Sequence, residues 1–138
     1  MNYVVKAKEA MEWESPPHEN PAVRDHRYMS LMFERDITPT KSMAAGVVTL
    51  LPWKEQTKFS VHSSEEIYFV FEGKGEFLLD DEIHPVEKDT AVYVTPGTRH
   101  RARNTGDQTM RLFFANCPSV FGHVGGYKDF MSEWKRIR

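Results

Sequence analysis

Cysteine is almost missing from this chain of 138 residues: Cys117 stands alone, so no disulfide can close within it. Its place after a strand-like run, with no base nearby in sequence, suits a small buried hydrophobe better than a nucleophile. Long hydrophobic runs are absent too, which excludes a spanning helix. Neither charge dominates: 18 Lys and Arg face 20 Asp and Glu, for a net charge of −2. That balance lacks the basic footprint of a nucleic-acid binder. The opening residues MNYVVKAKEAMEWE carry charges throughout and lack the apolar core of a secretion signal. The expectation is a cytoplasmic protein without membrane or nucleic-acid partners. There is no P-loop, no Gly-x-Gly-x-x-Gly after a strand, no Gly-x-Ser-x-Gly and no Cys-x-x-Cys.

What is present reads as one domain with a real core. A chain of this length buries roughly 70% of the surface it exposes when unfolded. Residues 1–27 hold Pro16, Pro17 and Pro21 and read as an N-terminal arm with one short strand at most. From Tyr28 to about residue 116 the pattern is β. Short strand-like segments at 28–33, 45–51, 66–72, 76–79, 90–94, 99–104 and 110–115 are separated by turn signals about every ten residues, as in an antiparallel sandwich or barrel. Near the end, Tyr127, Phe130, Met131, Trp134 and Ile137 recur at helical spacing, which predicts an amphipathic helix over about 126–138.

The chemistry gathers in two stretches. His62-Ser-Ser-Glu-Glu66 leads into a strand, and Pro96-Gly97-Thr98-Arg99-His100 leads into another. Alternate residues of a strand share a face. Glu66, Tyr68, Val70 and Glu72 therefore lie together, as do His100, Ala102 and Asn104, with Arg101 and Arg103 opposite. If Glu66 and His100 face inward, His62, Glu66 and His100 can converge. Two imidazoles and a carboxylate suit a divalent transition metal with open coordination positions. Tyr68 would line the same cavity as an orienting or acid–base group. His84 reads as a solvent-facing residue beside a turn, His123 lies in a glycine-rich loop, and the orientation of Arg111 stays open.

These words resemble the cupin superfamily. Its first motif runs Gly, five residues, His-x-His, three or four residues, Glu, six residues, Gly. Its second runs Gly, five residues, Pro-x-Gly, two residues, His, three residues, Asn. His62, Glu66 and Gly73 match the first set of gaps, and Gly97, His100 and Asn104 the second. The likeness covers roughly 43–116. The chain departs from the pattern at Ser60, where the family has its first His, and at Lys54, Asp89 and Thr95. A serine hydroxyl is a poor ligand for such metals, so three ligands would remain, with Gln56, His18 or His26 as candidate replacements.

The resemblance implies an all-β fold: a double-stranded β-helix (jelly-roll barrel) with its core at about 28–116, the N-terminal arm and the C-terminal helix. It also implies one divalent transition metal per chain (Fe, Mn, Ni or Zn) on His62, Glu66 and His100, with Glu66 and Tyr68 as catalytic groups. A small-molecule substrate inside the barrel and a homodimer follow as expectations, since the outward aromatics Phe69 and Phe71 would be hard to leave wet. The leading functional expectation is a metal-dependent dioxygenase. Isomerase, lyase or decarboxylase chemistry, a non-catalytic sensor and a metal-free epimerase or cyclase are the alternatives.

Overall fold

The computed structural model describes residues 3–38 and 40–138; the side chains of His123 and Val124 lie outside the described residues. Strands β1 (Met11–Glu14), β2 (Tyr28–Phe33), β3 (Ala44–Leu50), β4 (Glu65–Glu72), β5 (Lys74–Leu79), β6 (Glu82–Glu87), β7 (Thr90–Val94), β8 (His100–Asn104), β9 (Met110–Cys117) and β10 (Lys135–Arg136) form two sheets. One has the order β10-β1-β2-β3-β9-β4-β7 and the other β6-β5-β8. Every pairing between these strands is antiparallel. The all-β jelly-roll architecture is therefore as expected. Among the described residues, no helix is long and apolar enough to cross a membrane.

The strands form where β-branched and aromatic residues alternate with polar ones. In β9, Met110, Leu112, Phe114 and Asn116 are buried while the residues between them are not. In β4, Glu66, Tyr68 and Val70 point inward, and Ile67 and Phe69 point out. Glu72 does not continue the inward row, because the register against β9 shifts between Val70 and Glu72 and leaves Glu72 exposed. In β8, His100, Ala102 and Asn104 are buried, with Arg101 and Arg103 on the other face. The core between the sheets is apolar, with Leu31, Leu50, Val70, Phe77, Met110 and Leu112 fully enclosed.

Three elements differ from the sequence reading. β6 falls between 79 and 90, where the sequence reading names no strand: it is a charged edge strand with only Val86 buried, and Pro85 is tolerated at such an edge. Cys117 is half-buried rather than enclosed, because it falls on the outward register of β9, 3.4 Å from the Ser42 hydroxyl.

The C-terminal helix is real but short. Helix α1 spans Tyr127–Phe130 only, a turn follows, and β10 then pairs with β1. The apolar spacing still does its work. Tyr127 packs on Trp13, Phe130 on Phe121, and Trp134 on Phe130. Pairing with the edge of β1 satisfies the backbone that a longer helix would have satisfied internally, and periodicity alone does not separate the two.

Candidate metal centre

Each ligand is mounted differently. Glu66 sits on β4, in register with Asn116 of β9 and Val94 of β7. His100 opens β8 on the opposite sheet. His62 lies on the connection before β4, which is tied down repeatedly. Ser60 and His100 exchange both backbone hydrogen bonds, at 2.9 and 3.0 Å, and the His62 carbonyl accepts from Gly97 N–H at 2.9 Å. Gly97 has φ +82, a left-handed conformation that favours glycine. The Ser64 hydroxyl donates to the Pro118 carbonyl.

The three side chains meet. Nε2 of His62 lies 3.3 Å from Glu66 Oε1, and Nε2 of His100 lies 3.1 Å from the same oxygen. All three ligand atoms fall within 4.8 Å of one another. His100 and Glu66 are almost wholly enclosed, at 1% and 4% exposure. The rings of His62 and His100 stand edge to face, 4.9 Å apart.

Tautomers follow from the backbone. Nδ1 of His62 lies 3.1 Å from the Ser64 carbonyl, and Nδ1 of His100 lies 3.0 Å from the Thr98 carbonyl. A carbonyl only accepts, so each Nδ1 carries the proton. In a neutral ring Nε2 is then the lone-pair nitrogen, aimed at Glu66. Three acceptors around one point need a cation between them, either a proton on one ring or a metal. Ligands about 2.0–2.2 Å from a metal lie roughly 3–4 Å apart, which is the separation of each imidazole Nε2 from the Glu66 oxygen. The backbone bonds at Nδ1 are also the usual outer support of metal-binding imidazoles. The donor set fits a divalent transition metal.

The carboxylate is deeply committed to its charged form. Burial alone would raise the Glu66 pKa, but in the metal-free protein hydrogen bonds from the His100 and His62 rings in their protonated form, and from Tyr68 and Asn116, reverse this and bring it down to about 2. The Tyr68 hydroxyl donates to Oε1 at 2.7 Å and Asn116 Nδ2 donates to Oε2 at 2.9 Å. Burial pushes the Tyr68 phenol well above its ordinary value, and the Glu66 charge adds to this, so Tyr68 stays a neutral donor. The hydrogen bond to Glu66 raises the His62 pKa against the effect of burial.

The group lies on the wall of a cavity of about 570 Å³, within the range of small-molecule sites. Ser60 lines it, at the position that the resemblance assigns to a further ligand. Gln56 lines it too, with its Oε1 taken by Ala102 N–H at 3.2 Å. Neither His18 nor His26 reaches the cavity. His26 Nε2 meets Glu14 at 2.8 Å, and His18 Nδ1 accepts from Asn20 N–H. His84 is surface-exposed beside Glu82. Arg111 stacks over Phe71 and lies 3.9 Å from Glu72, away from the cavity.

Asn116 and Arg27 escaped the sequence reading. Asn116 is found only through the β4–β9 register. Arg27 lines the cavity with its guanidinium 5.0 Å from the centre of the Trp134 ring. Burial lowers its pKa, while the charges of Tyr68, Asp25 and Glu66 oppose that.

Comparison with known proteins accords with this arrangement. An archaeal protein of unassigned role from Methanocaldococcus jannaschii is 33% identical over 79 residues, 56% of this chain and 61% of that one. Protein SchB of Streptomyces halstedii is 35% identical over 96 residues, 64% of this chain and 70% of that one. A glucose-6-phosphate isomerase of Thermococcus onnurineus is 41% identical over 66 residues, 44% of this chain but only 34% of the enzyme. Among solved structures, a predicted oxalate decarboxylase from Thermotoga maritima superposes with a TM-score of 0.69 at 18% identity, over 83% of this chain and 98% of that one. At that identity the likeness speaks for the fold alone. Residues 46–116 match the family profile described as a cupin domain, and with that match the chain belongs to the cupin family.

Proposed function

We propose that this chain is a metal-dependent enzyme acting on a small organic molecule inside the barrel, with His62, Glu66 and His100 holding one divalent transition metal. One observation supports this above others: two inward-facing ring nitrogens and a carboxylate oxygen share a point on the cavity wall. Such a metal supplies Lewis acidity and, as iron, a place for oxygen. The chain's own groups do the rest. The Ser64 and Thr98 carbonyls hold the rings, while Tyr68 and Asn116 hold the carboxylate. Tyr68 acts by orienting Glu66, because its proton is already engaged there. Apolar side chains such as Met29, Val48, Phe114 and Phe121 line the rest of the cavity.

Untagged protein should carry about one transition metal per chain, and either His62→Ala or His100→Ala should abolish it. A protein that is metal-free when isolated from metal-replete cells overturns the reading. The ligand set of two imidazoles and one carboxylate favours a dioxygenase. A second reading, non-oxidative isomerase or decarboxylase chemistry, draws on the names of the isomerase relatives and of the Thermotoga maritima protein. Oxygen uptake by the iron-loaded protein over a substrate panel separates the two. A second copy of this chain is the proposed partner, docking on the outward face of β4 and β7.

A further inference from the structure

The cavity holds a positive charge that the metal group does not use. Arg27 and Glu66 are its two charged linings apart from the imidazoles. Both Glu66 oxygens are occupied, Oε1 by His62, His100 and Tyr68 and Oε2 by Asn116. Among the described residues, the Arg27 guanidinium has neither an ion-pair partner nor a hydrogen-bond acceptor. Its one recorded contact is the face of Trp134, at 5.0 Å. Stacking covers a face of the guanidinium and leaves its in-plane N–H groups for a ligand. The backbone beneath is fixed, since the Arg27 N–H donates to Ser15 Oγ and the Arg27 carbonyl accepts from Ser15 N–H, both at 2.9 Å. The Asp25 and Glu66 charges act on it without hydrogen-bonding it, and an anion in direct contact would offset more of the cost of burying it.

We infer that Arg27 binds the carboxylate of an amphipathic organic acid and presents the rest of that molecule to the metal group. This rests on the cavity being the substrate site, as proposed above. A planar guanidinium matches a carboxylate with two parallel hydrogen bonds. One unit of positive charge suits a monocarboxylate. The remaining walls are largely apolar, with Met29, Val48, Phe114, Phe121 and Phe130 around the space. They suit a hydrocarbon or aromatic body better than a sugar.

Calorimetric titration of the purified chain with 3-phenylpropanoate, 3-phenylpropanamide and phenyl phosphate tests this. The acid should bind at least about tenfold more tightly than the amide, as a charge-assisted pair implies. Arg27→Met should erase that preference with metal content unchanged, and Arg27→Lys should keep part of it. An absent preference in the wild type, or one that survives in Arg27→Met, overturns the inference. Arg27-dependent binding of phenyl phosphate tenfold tighter than the acid overturns the carboxylate assignment. If Arg27→Met melts early, the wild-type acid–amide comparison and Arg27→Lys decide. In that case a Lys variant as tight as wild type overturns the inference. Metal analysis of His100→Ala separates the two readings: metal retained there sinks the metal centre, while the acid preference reports on Arg27 alone.

Discussion

Glu66 does two jobs with one carboxylate: it belongs to the candidate ligand set and, through His100, it links the two sheets. Four side chains converge on it, with Tyr68 and Asn116 as the donors that fix its orientation, so losing one should be felt at the metal. Tyr68→Phe should lower metal affinity by about 10–100-fold, the usual effect of removing an outer-sphere partner, read by competition with a chelator. Ser60→His should slow metal loss during dialysis against chelator; unchanged loss would mean that Ser60 does not face the metal.

Acid should act in two ways. The Glu66 pKa is lowered from 4.5 to about 2. Its contribution to stability is therefore complete above 4.5 and is lost as pH falls toward 2. That contribution is on the order of 3 kcal/mol, and urea unfolding of metal-stripped protein across this window measures it. The His62 pKa is raised above 6.5. Its contribution to the stability of metal-free protein is present below 6.5 and fades as pH rises through the folded value. Because the metal needs the deprotonated ring, metal affinity should run the opposite way and fall as pH drops through that raised value.

Strand β4 and the connection before it show how an element carries a site. Alternation set the inward row Glu66, Tyr68, Val70, and alternation is readable in sequence because its period is two residues. The bulge that turns Glu72 out is not readable, since it depends on pairing with β9. Phe77 of β5 is fully buried and packs 4.8 Å from the Tyr68 ring. Phe77→Ala should cost about 3–5 kcal/mol in chemical denaturation and, by loosening Tyr68, should also weaken metal retention. At the other end of the chain, the spacing of Tyr127, Phe130, Met131 and Trp134 announced burial correctly and helix length incorrectly. The edge of β1 captured residues that would otherwise have continued the helix.

The whole molecule is a sandwich whose cavity is walled by parts distant in sequence. β2 supplies Met29, and Arg27, the residue just before β2, enters from the end of the N-terminal arm. The C-terminal segment supplies Phe130 to the lining and Trp134 to the guanidinium. Arm and tail are thus part of the site and not appendages to it. Outside, Ile67 of β4 lies opposite Tyr93 of the edge strand β7, and these side chains are 50% and 52% exposed. Phe69 extends the patch. An apolar face beside an open strand edge is a reason to expect a second copy there. Ile67→Asp combined with Phe69→Asp should convert a dimer to a monomer by light scattering; a wild type that is already monomeric at micromolar concentration would refute the pairing.

Local order was legible in the residues alone. Two-residue alternation and glycine turns carry the β fold, because strand faces repeat over a few residues and need no knowledge of partners; the trio His62, Glu66 and His100 was legible only through the resemblance of its gaps, with Asn104, to the cupin motifs. Asn116 beneath Glu66, Arg27 over Trp134 and the capture of the last residues by β1 belong to tertiary structure. Each depends on register or on contact across long loops, and a contact between segments a hundred residues apart leaves no period in the chain to read.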